Sequence, residues 1–229
     1  AAEAIVHPAL LATLVYRYGI PGSATTSVED VQANGQCFLA LTDAMERIGG
    51  FCSGQGAISE DVTIARSLVA HGVAVGFFEP ASGVELVDVE MYDGCRDAWR
   101  NWTRSLPMRD HSSGYRWWLK MFEMTLTMGL PLVLLLASGG RYRSGSSVRH
   151  GVIRLNLGLV MMRYGVAAGM RRAYRDTPAT YWLSPLVDPA VCIKLWISAL
   201  RRHHEWRGRP IVRAIAHSIP PTSGEAPSA

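Results

Sequence analysis

Two adjacent carboxylates, Glu60 and Asp61, open a stretch that reads as the start of a helix, Ser59 to Leu68. Carboxylates in a first turn are favoured by its free N–H groups and by the helix dipole, and Ser59 is a capping residue type. Val62, Ala65 and Val69, with Ile64 and Leu68 beside them, give an inner face at helical spacing. A carboxylate fixed at such a point has two uses. It is a good cap, or it is a base that takes the proton of a hydroxyl as that hydroxyl attacks.

Neighbouring residues bear on that choice. Asn34-Gly35-Gln36 combines two amide side chains with a glycine. Asn-Gly usually marks a turn. Alternatively, Gly35 lets the backbone approach a ligand while Asn34 and Gln36 offer amide groups. Phe51 to Ile58, a loop containing Gly54 and Gly56, leads into Glu60-Asp61, where a mobile substrate-contacting flap would sit. Further on, Trp99 and Trp102 recur at i, i+3 and Arg96, Arg100 and Arg104 at i, i+4, i+8. That pattern is either core packing or an aromatic wall flanked by guanidinium groups for an anionic or sugar-bearing ligand. Asp88-Val89-Glu90 has the acid-x-acid look of a metal triplet, but strand alternation puts both acids on one polar face.

The elements that position these residues follow from the pattern. An apolar helix is expected from His7 to Tyr18, with Pro8 in its first turn, stopped by Gly19, Pro21 and Gly22. The Ser/Thr-rich segment Ser23 to Ser27 reads as a loop, and Thr42 to Ile48 as a short helix stopped by Gly49-Gly50. Gly72 closes the carboxylate helix. Val73 to Glu79 reads as a buried strand paired through Pro80-Ala81-Ser82-Gly83 with a second strand, Val84 to Tyr92. Asp93 to Ser105 is the Trp/Arg helix.

Beyond it the chain changes character. The formal net charge is +4, from 23 Lys and Arg against 19 Asp and Glu, and most of the Arg lies beyond Trp99, between apolar runs. That placement suggests a membrane surface more than nucleic acid, and no zinc-finger or RNA-binding signature is present. Trp117 to Ser138, Val148 to Met170 and Tyr181 to Leu200 are apolar. The last two carry Arg154 and Arg163, and Asp188 and Lys194, respectively. Such charges point to interfacial helices, re-entrant segments or a bundle that buries them. Trp117, Trp118, Trp182 and Trp196 near the ends suit an interfacial belt. Four scattered cysteines, without a CxxC pair, read as free thiols, and His203-His204 is a poor metal site because neighbours on a helix diverge. The tail from Pro220 reads as disordered.

The order of these features resembles the rear half of membrane-associated family 2 glycosyltransferases. The features are Asn34-Gly35-Gln36, Gly49-Gly50, Glu60-Asp61-Val62 with Ala65-Arg66 and Gly72, Met91-Tyr92, Trp99 and Trp102, apolar segments, and Trp206-Arg207-Gly208-Arg209. The likeness is greatest to bacterial ceramide-glucosyltransferase-like and carotenoid-glycosyltransferase-like members, and runs from about His7 to Arg209. The resemblance implies an α/β fold. Residues 1–110 would be the acceptor-side part of an incomplete GT-A (Rossmann-like) domain, 111–213 a membrane-associated helical region and 214–229 a tail. It implies an inverting transfer of sugar from a nucleotide-sugar donor to a hydroxyl of a lipid-like acceptor at the cell membrane, with the catalytic part cytoplasmic. Asp61 would be the general base. Glu60, Asn34, Gly35, Gln36, Trp99, Arg100 and Trp102 would line the substrate side. A divalent metal, Mg or Mn, is implied for the intact enzyme, with ligands in an upstream Asp-x-Asp that this sequence lacks. Its stretch Arg96 to Trp102 keeps the Trp and Arg types of the family's Gln/Arg-x-x-Arg-Trp motif but not their order. With the donor half missing, poor donor binding and no turnover by this chain alone are expected. The alternative is a non-catalytic membrane-surface module on the same scaffold.

Overall fold

A computed structural model describes residues 3–78, 92, 94–109, 114–139, 147–206 and 209–212. The expected Val84 strand, Asp88 to Glu90, Met91, Gly208 and the tail lie outside the described residues.

Helix α1 (Glu3–Tyr18) is followed by the short strand β1 (Ser23–Thr25), then α2 (Thr42–Arg47), α3 (Glu60–Ala70) and β2 (Val75–Phe77). Helix α4 (Cys95–Ser105) comes next. A long apolar helix then consists of α5 (Tyr115–Met124), a π turn (Thr125–Gly129) and α6 (Leu130–Gly139). After α7 (Ser147–Met170), a 3-10 segment (Ala179–Val187) runs straight into α8 (Asp188–Leu200), and β3 (His203–Trp206) and β4 (Arg209–Val212) follow.

The described chain is mainly helical with small sheets, and both sheets are antiparallel pairs: β1 with β2 and β3 with β4. A parallel Rossmann-like layer is not among the described residues, so the α/β expectation stands only in that coarse form. Two details differ from the sequence reading. Ser23–Thr25, read as loop, is the strand that pairs with β2, and β2 is half exposed rather than buried. The basic segment after Leu200 contributes the antiparallel pair β3 and β4, in which His203 faces Val212.

Helix α3 fits its sequence closely. Gly72 adopts φ +81°, while Gly72 N–H and Val73 N–H donate to the carbonyls of Val69 and Leu68. These are the two bonds of a glycine-terminated helix end. Its burial goes further than one inner face, since every residue from Val62 to Val69 is buried. One side packs with Val31 and Val28, another with Ala44 and Ile48. Arg66, on a third side, donates to the carbonyl of Met108 at 3.2 Å.

The largest core is elsewhere, and it draws on both sides of residue 110. Ala9, Leu10 and Leu106 pack with Trp117, Met121, Met124, Met128, Val191 and Leu195. Helix α1 is therefore part of a bundle with α4, α5, α7 and α8. Three of the four tryptophans expected in an interfacial belt, Trp117, Trp118 and Trp196, pack in it. Trp117 is buried and donates to the carbonyl of Pro107 at 2.8 Å, and Trp196 donates to Thr125 Oγ1 at 2.8 Å while stacking on Trp118. The N–H groups of Trp117 and Trp196 thus find protein acceptors. Residues 115–138 (mean hydropathy 1.6) and 179–200 (1.4) are long and apolar enough to cross a membrane by length and composition. Charges in the apolar runs part ways here. Arg163 and Asp188 are buried together as an ion pair at 2.7 Å, whereas Arg154 is exposed. All four cysteines are free.

Candidate functional site

The site is built at the first turn of α3. Ser59 does not cap through its side chain. Its Oγ reaches toward the carbonyl of Ser105 at 3.5 Å instead, while its own carbonyl accepts from the N–H and hydroxyl of Thr63, each at 3.0 Å. The capping falls to Asp61. Its Oδ1 accepts the Val62 N–H at 2.8 Å and its Oδ2 accepts the Gly35 N–H at 2.8 Å. Two backbone donors from separate segments thus fix the carboxylate plane. Asp61 is half-buried and Glu60 is exposed beside it.

Asn34-Gly35-Gln36 forms a turn that delivers that second donor. Cys37 N–H donates to the Asn34 carbonyl at 3.3 Å, Gln36 N–H to Asn34 Oδ1 at 3.1 Å, and Asn34 Nδ2 to Gln36 Oε1 at 2.9 Å. One bond therefore joins the two amide side chains, and the Gly35 amide approaches Asp61. A Cβ placed on Gly35 would lie 3.6 Å from the Asp61 Cβ, an ordinary contact, so the close approach does not itself demand glycine. The loop before α3 is packed: Gly54 is buried against Ile64, which a Cβ on it would meet at 3.0 Å. The expected mobile flap has an anchored middle.

Helix α4 divides its candidates. Trp99 and Trp102 pack against the bundle core. The Trp102 ring stacks on His7 at 4.4 Å and lies 6.1 Å from the Tyr92 ring. Arg100 turns outward, 3.8 Å from Glu205, both largely exposed. The structure therefore brings Asp61, Glu60, Asn34, Gly35 and Gln36 together. Among the described residues, no hydrogen bond or ring contact ties Trp99, Arg100 or Trp102 to Asp61. A groove of about 240 Å³ runs alongside, lined by Asn34, Phe38, Leu39, Leu41, Leu68 and Val75. Asp61 does not line it, although Asn34, next to the Gly35 that holds Asp61, does.

Sequence reasoning missed one cluster. His7 Nδ1 lies 2.8 Å from the Tyr174 hydroxyl, inside a cage that includes Trp102 and Tyr92. Burial lowers the His7 pKa to about 4 and pushes the Tyr92 phenol up to about 12. His7 and Tyr174 are 167 positions apart, and no local motif signals such a pair.

No protein-family model, curated protein or solved structure matches this chain. The site must be judged on its own groups. A metal needs several converging donors, and among the described residues no three His, Cys, Asp or Glu side chains gather to hold one. The glycosyltransferase resemblance places the ligands of its divalent metal upstream of this sequence, not among these residues. What the geometry offers is one oriented carboxylate. Each Asp61 oxygen accepts one amide N–H and retains a lone pair for a proton.

Proposed function

We propose that this chain is the acceptor-side portion of a membrane-associated glycosyltransferase that moves a sugar from a nucleotide-sugar donor to a hydroxyl of a lipid-like acceptor. The observation that carries this reading is the Asp61 carboxylate, half-exposed and held by two backbone amides at 2.8 Å each. Such a group is pre-oriented, which is what a general base requires. The acceptor oxygen would bond to the anomeric carbon as its proton passes to Asp61. The bond from that carbon to the phosphate oxygen breaks at the same time, its electron pair leaving with the nucleoside diphosphate. Attack from the face opposite the leaving group inverts the configuration. Two helices of membrane-crossing length in the same chain suit an acceptor delivered from a bilayer.

On this reading the 240 Å³ groove beside β2 is the seat of the donor-side part of the domain. Leu39 and Leu41, which line it, are 98 % and 77 % exposed and would be covered by that part. The test is Asp61→Asn in the intact protein, assayed in membranes with a sugar nucleotide. Transfer should fall by about 10²- to 10⁴-fold, the usual worth of a general base, with donor binding preserved. Undiminished transfer would remove Asp61 from the chemistry.

A second reading is favoured by one observation: Trp99 and Trp102 face the bundle rather than Asp61. It makes the chain a non-catalytic membrane-surface module. Asp61→Asn would then leave its membrane association and any partner binding unchanged.

A further inference from the structure

Uncovered apolar side chains concentrate on the hairpin formed by α6 and α7. Helix α6 packs on α7 and only slightly on α8. Arg149 closes the far end of the hairpin by donating to the Ser138 carbonyl at 2.8 Å. On α6, Val133 and Leu136 are 43 % and 72 % exposed, and on α7, Leu155, Leu157 and Met161 are 64 %, 52 % and 63 % exposed. Leu155 and Leu157 are two positions apart, so they point about 200° away from each other around the helix axis. A docked protein would cover one side of such a helix and leave the other wet, whereas lipid surrounds it. Arg154 interrupts this surface near the far end of α7, where its long stem can carry the charge out of hydrocarbon.

The opposite end is cationic. The Ser138–Arg149 bond makes α7 run against α6. Helix α8 runs against α5: Trp196 donates to Thr125 Oγ1, and the Ala199 carbonyl accepts from Arg109, whose guanidinium lies 5.1 Å from the Trp118 ring centre. The ends of α7 and α8 therefore both lie toward the end at which α5 begins. Arg171 and Arg172 follow directly on α7, Arg201 and Arg202 directly on α8, and all four are exposed. The acids of these two connecting segments, Asp176 and Glu205, are fewer, and Glu205 already faces Arg100. A basic rim below an apolar hairpin matches the layers of a bilayer, phosphate outside and hydrocarbon within.

We infer that the α6–α7 hairpin is embedded in lipid and that Arg171, Arg172, Arg201 and Arg202 bind the phosphates of anionic phospholipids around its base. The inference rests on the membrane attachment in the proposed function and not on the role given to Asp61.

The test is flotation of the full chain with vesicles of phosphatidylcholine, alone or with roughly one-third phosphatidylglycerol. The chain should bind both, because the hairpin needs only hydrocarbon, and the anionic vesicles at lipid concentrations at least tenfold lower. The variant Arg171→Gln/Arg172→Gln/Arg201→Gln/Arg202→Gln should bind anionic vesicles no better than neutral ones, with its neutral binding unchanged. Equal binding of the unaltered chain to both vesicles would overturn the headgroup contacts and leave the attachment standing. Binding to neither would overturn the attachment as well. Depth is read with an environment-sensitive fluorophore on Leu136→Cys or Leu155→Cys, in a chain carrying Cys37→Ser, Cys52→Ser and Cys95→Ser. A nitroxide on the lipid acyl chain should quench both positions. Quenching of either by aqueous iodide in the vesicle-bound chain would overturn the embedding. Asp61→Asn should float like the parent, so a loss of transfer in that variant bears on the catalytic reading alone.

Discussion

In the helical bundle Leu10 and Leu195 are wholly buried, while around α3 Leu39 is 98 % exposed and Phe51 76 %. Both regions have a well-formed centre, since α3 is buried from Val62 to Val69. They differ at the next layer. The bundle surrounds its core with whole helices, and guanidinium groups bond across it: Arg17 donates to the carbonyls of Thr13, Leu106 and Pro107, and Arg109 to that of Ala199. The α3 lobe surrounds its helix with turns, two three-residue strands and an open groove. A lobe of that kind has little of its own with which to cover apolar side chains. The lesson is that the candidate base sits in the less complete of the two regions.

The largest expected effect lies at the polar centre of the bundle. Asp188→Leu alone leaves the Arg163 guanidinium buried without its counter-charge, and should cost about 3–5 kcal/mol. Arg163→Met together with Asp188→Leu should recover most of that loss. Denaturant titration of the full chain in mild detergent reads both values. If the single variant is as stable as the parent, the bundle centre is wetter than its burial indicates and the contrast with the α3 lobe weakens.

Core truncation is the next measure. Leu10→Ala or Leu195→Ala should cost about 2–5 kcal/mol, because the site cannot collapse around the missing atoms. Leu39→Ala, on the α3 lobe, should change stability by about 0.5 kcal/mol or less in this chain. A large loss from Leu39→Ala would mean that the groove is filled.

Acid should act on the bundle through His7. Its folded pKa is lowered to about 4 from an ordinary value of 6.5. Above pH 6.5 the ring is neutral in both states and contributes no slope. Below that, the unfolded chain takes up a proton that the folded one refuses, so stability falls until the pH reaches about 4. Each unit of pH is worth about 1.4 kcal/mol, which makes the whole loss about 3 kcal/mol. His7→Phe keeps a ring against Trp102 and removes the ionisation, so the difference between the two pH profiles should be flat above pH 6.5 and slope below it. Parallel profiles across that window would show that the cage admits the charged ring.

The same contrast governs what the sequence discloses. Local chemistry is legible: the α3 limits, the Gly72 stop, the Gly49-Gly50 break and the turn at Asn34-Gly35 all follow from the residues that form them. Juxtapositions are not. Trp102 meets His7 on another helix, and Arg163 finds Asp188 across 25 positions, through packing that no short window contains. Charges in apolar runs did signal burial as one of three options. The long-range fold then selected it for Arg163 and not for Arg154. At the site, the carboxylate could be read from Glu60-Asp61, but its second donor, the Gly35 N–H, comes from 26 positions away.

The smallest effect is expected at the seam between the two regions, and it discriminates because it is small. Lys120 on α5 donates to Asp30 Oδ1 at 2.5 Å and reaches the Glu29 carbonyl at 3.3 Å, while Arg116 lies 3.2 Å from Glu29. Asp30 is about half exposed, so solvent screens the pair and its coupling should be at most about 1 kcal/mol. The Lys120 ammonium donating to it holds the Asp30 carboxyl below its ordinary value of 3.8. A carboxylate depressed in this way contributes its stabilisation above the unfolded value and loses it as pH falls through the lower folded one. A double-mutant cycle with Asp30→Asn and Lys120→Met should therefore give a coupling of a few tenths of a kcal/mol at neutral pH. In 1 M salt, where the screening length falls to about 3 Å, it should shrink further. A coupling above about 2 kcal/mol that persists in salt would mean that the seam is desolvated like the bundle interior. The α3 lobe would then be fastened to the helices as firmly as they are to one another, and Asp61 would be held in fixed register with the apolar helices.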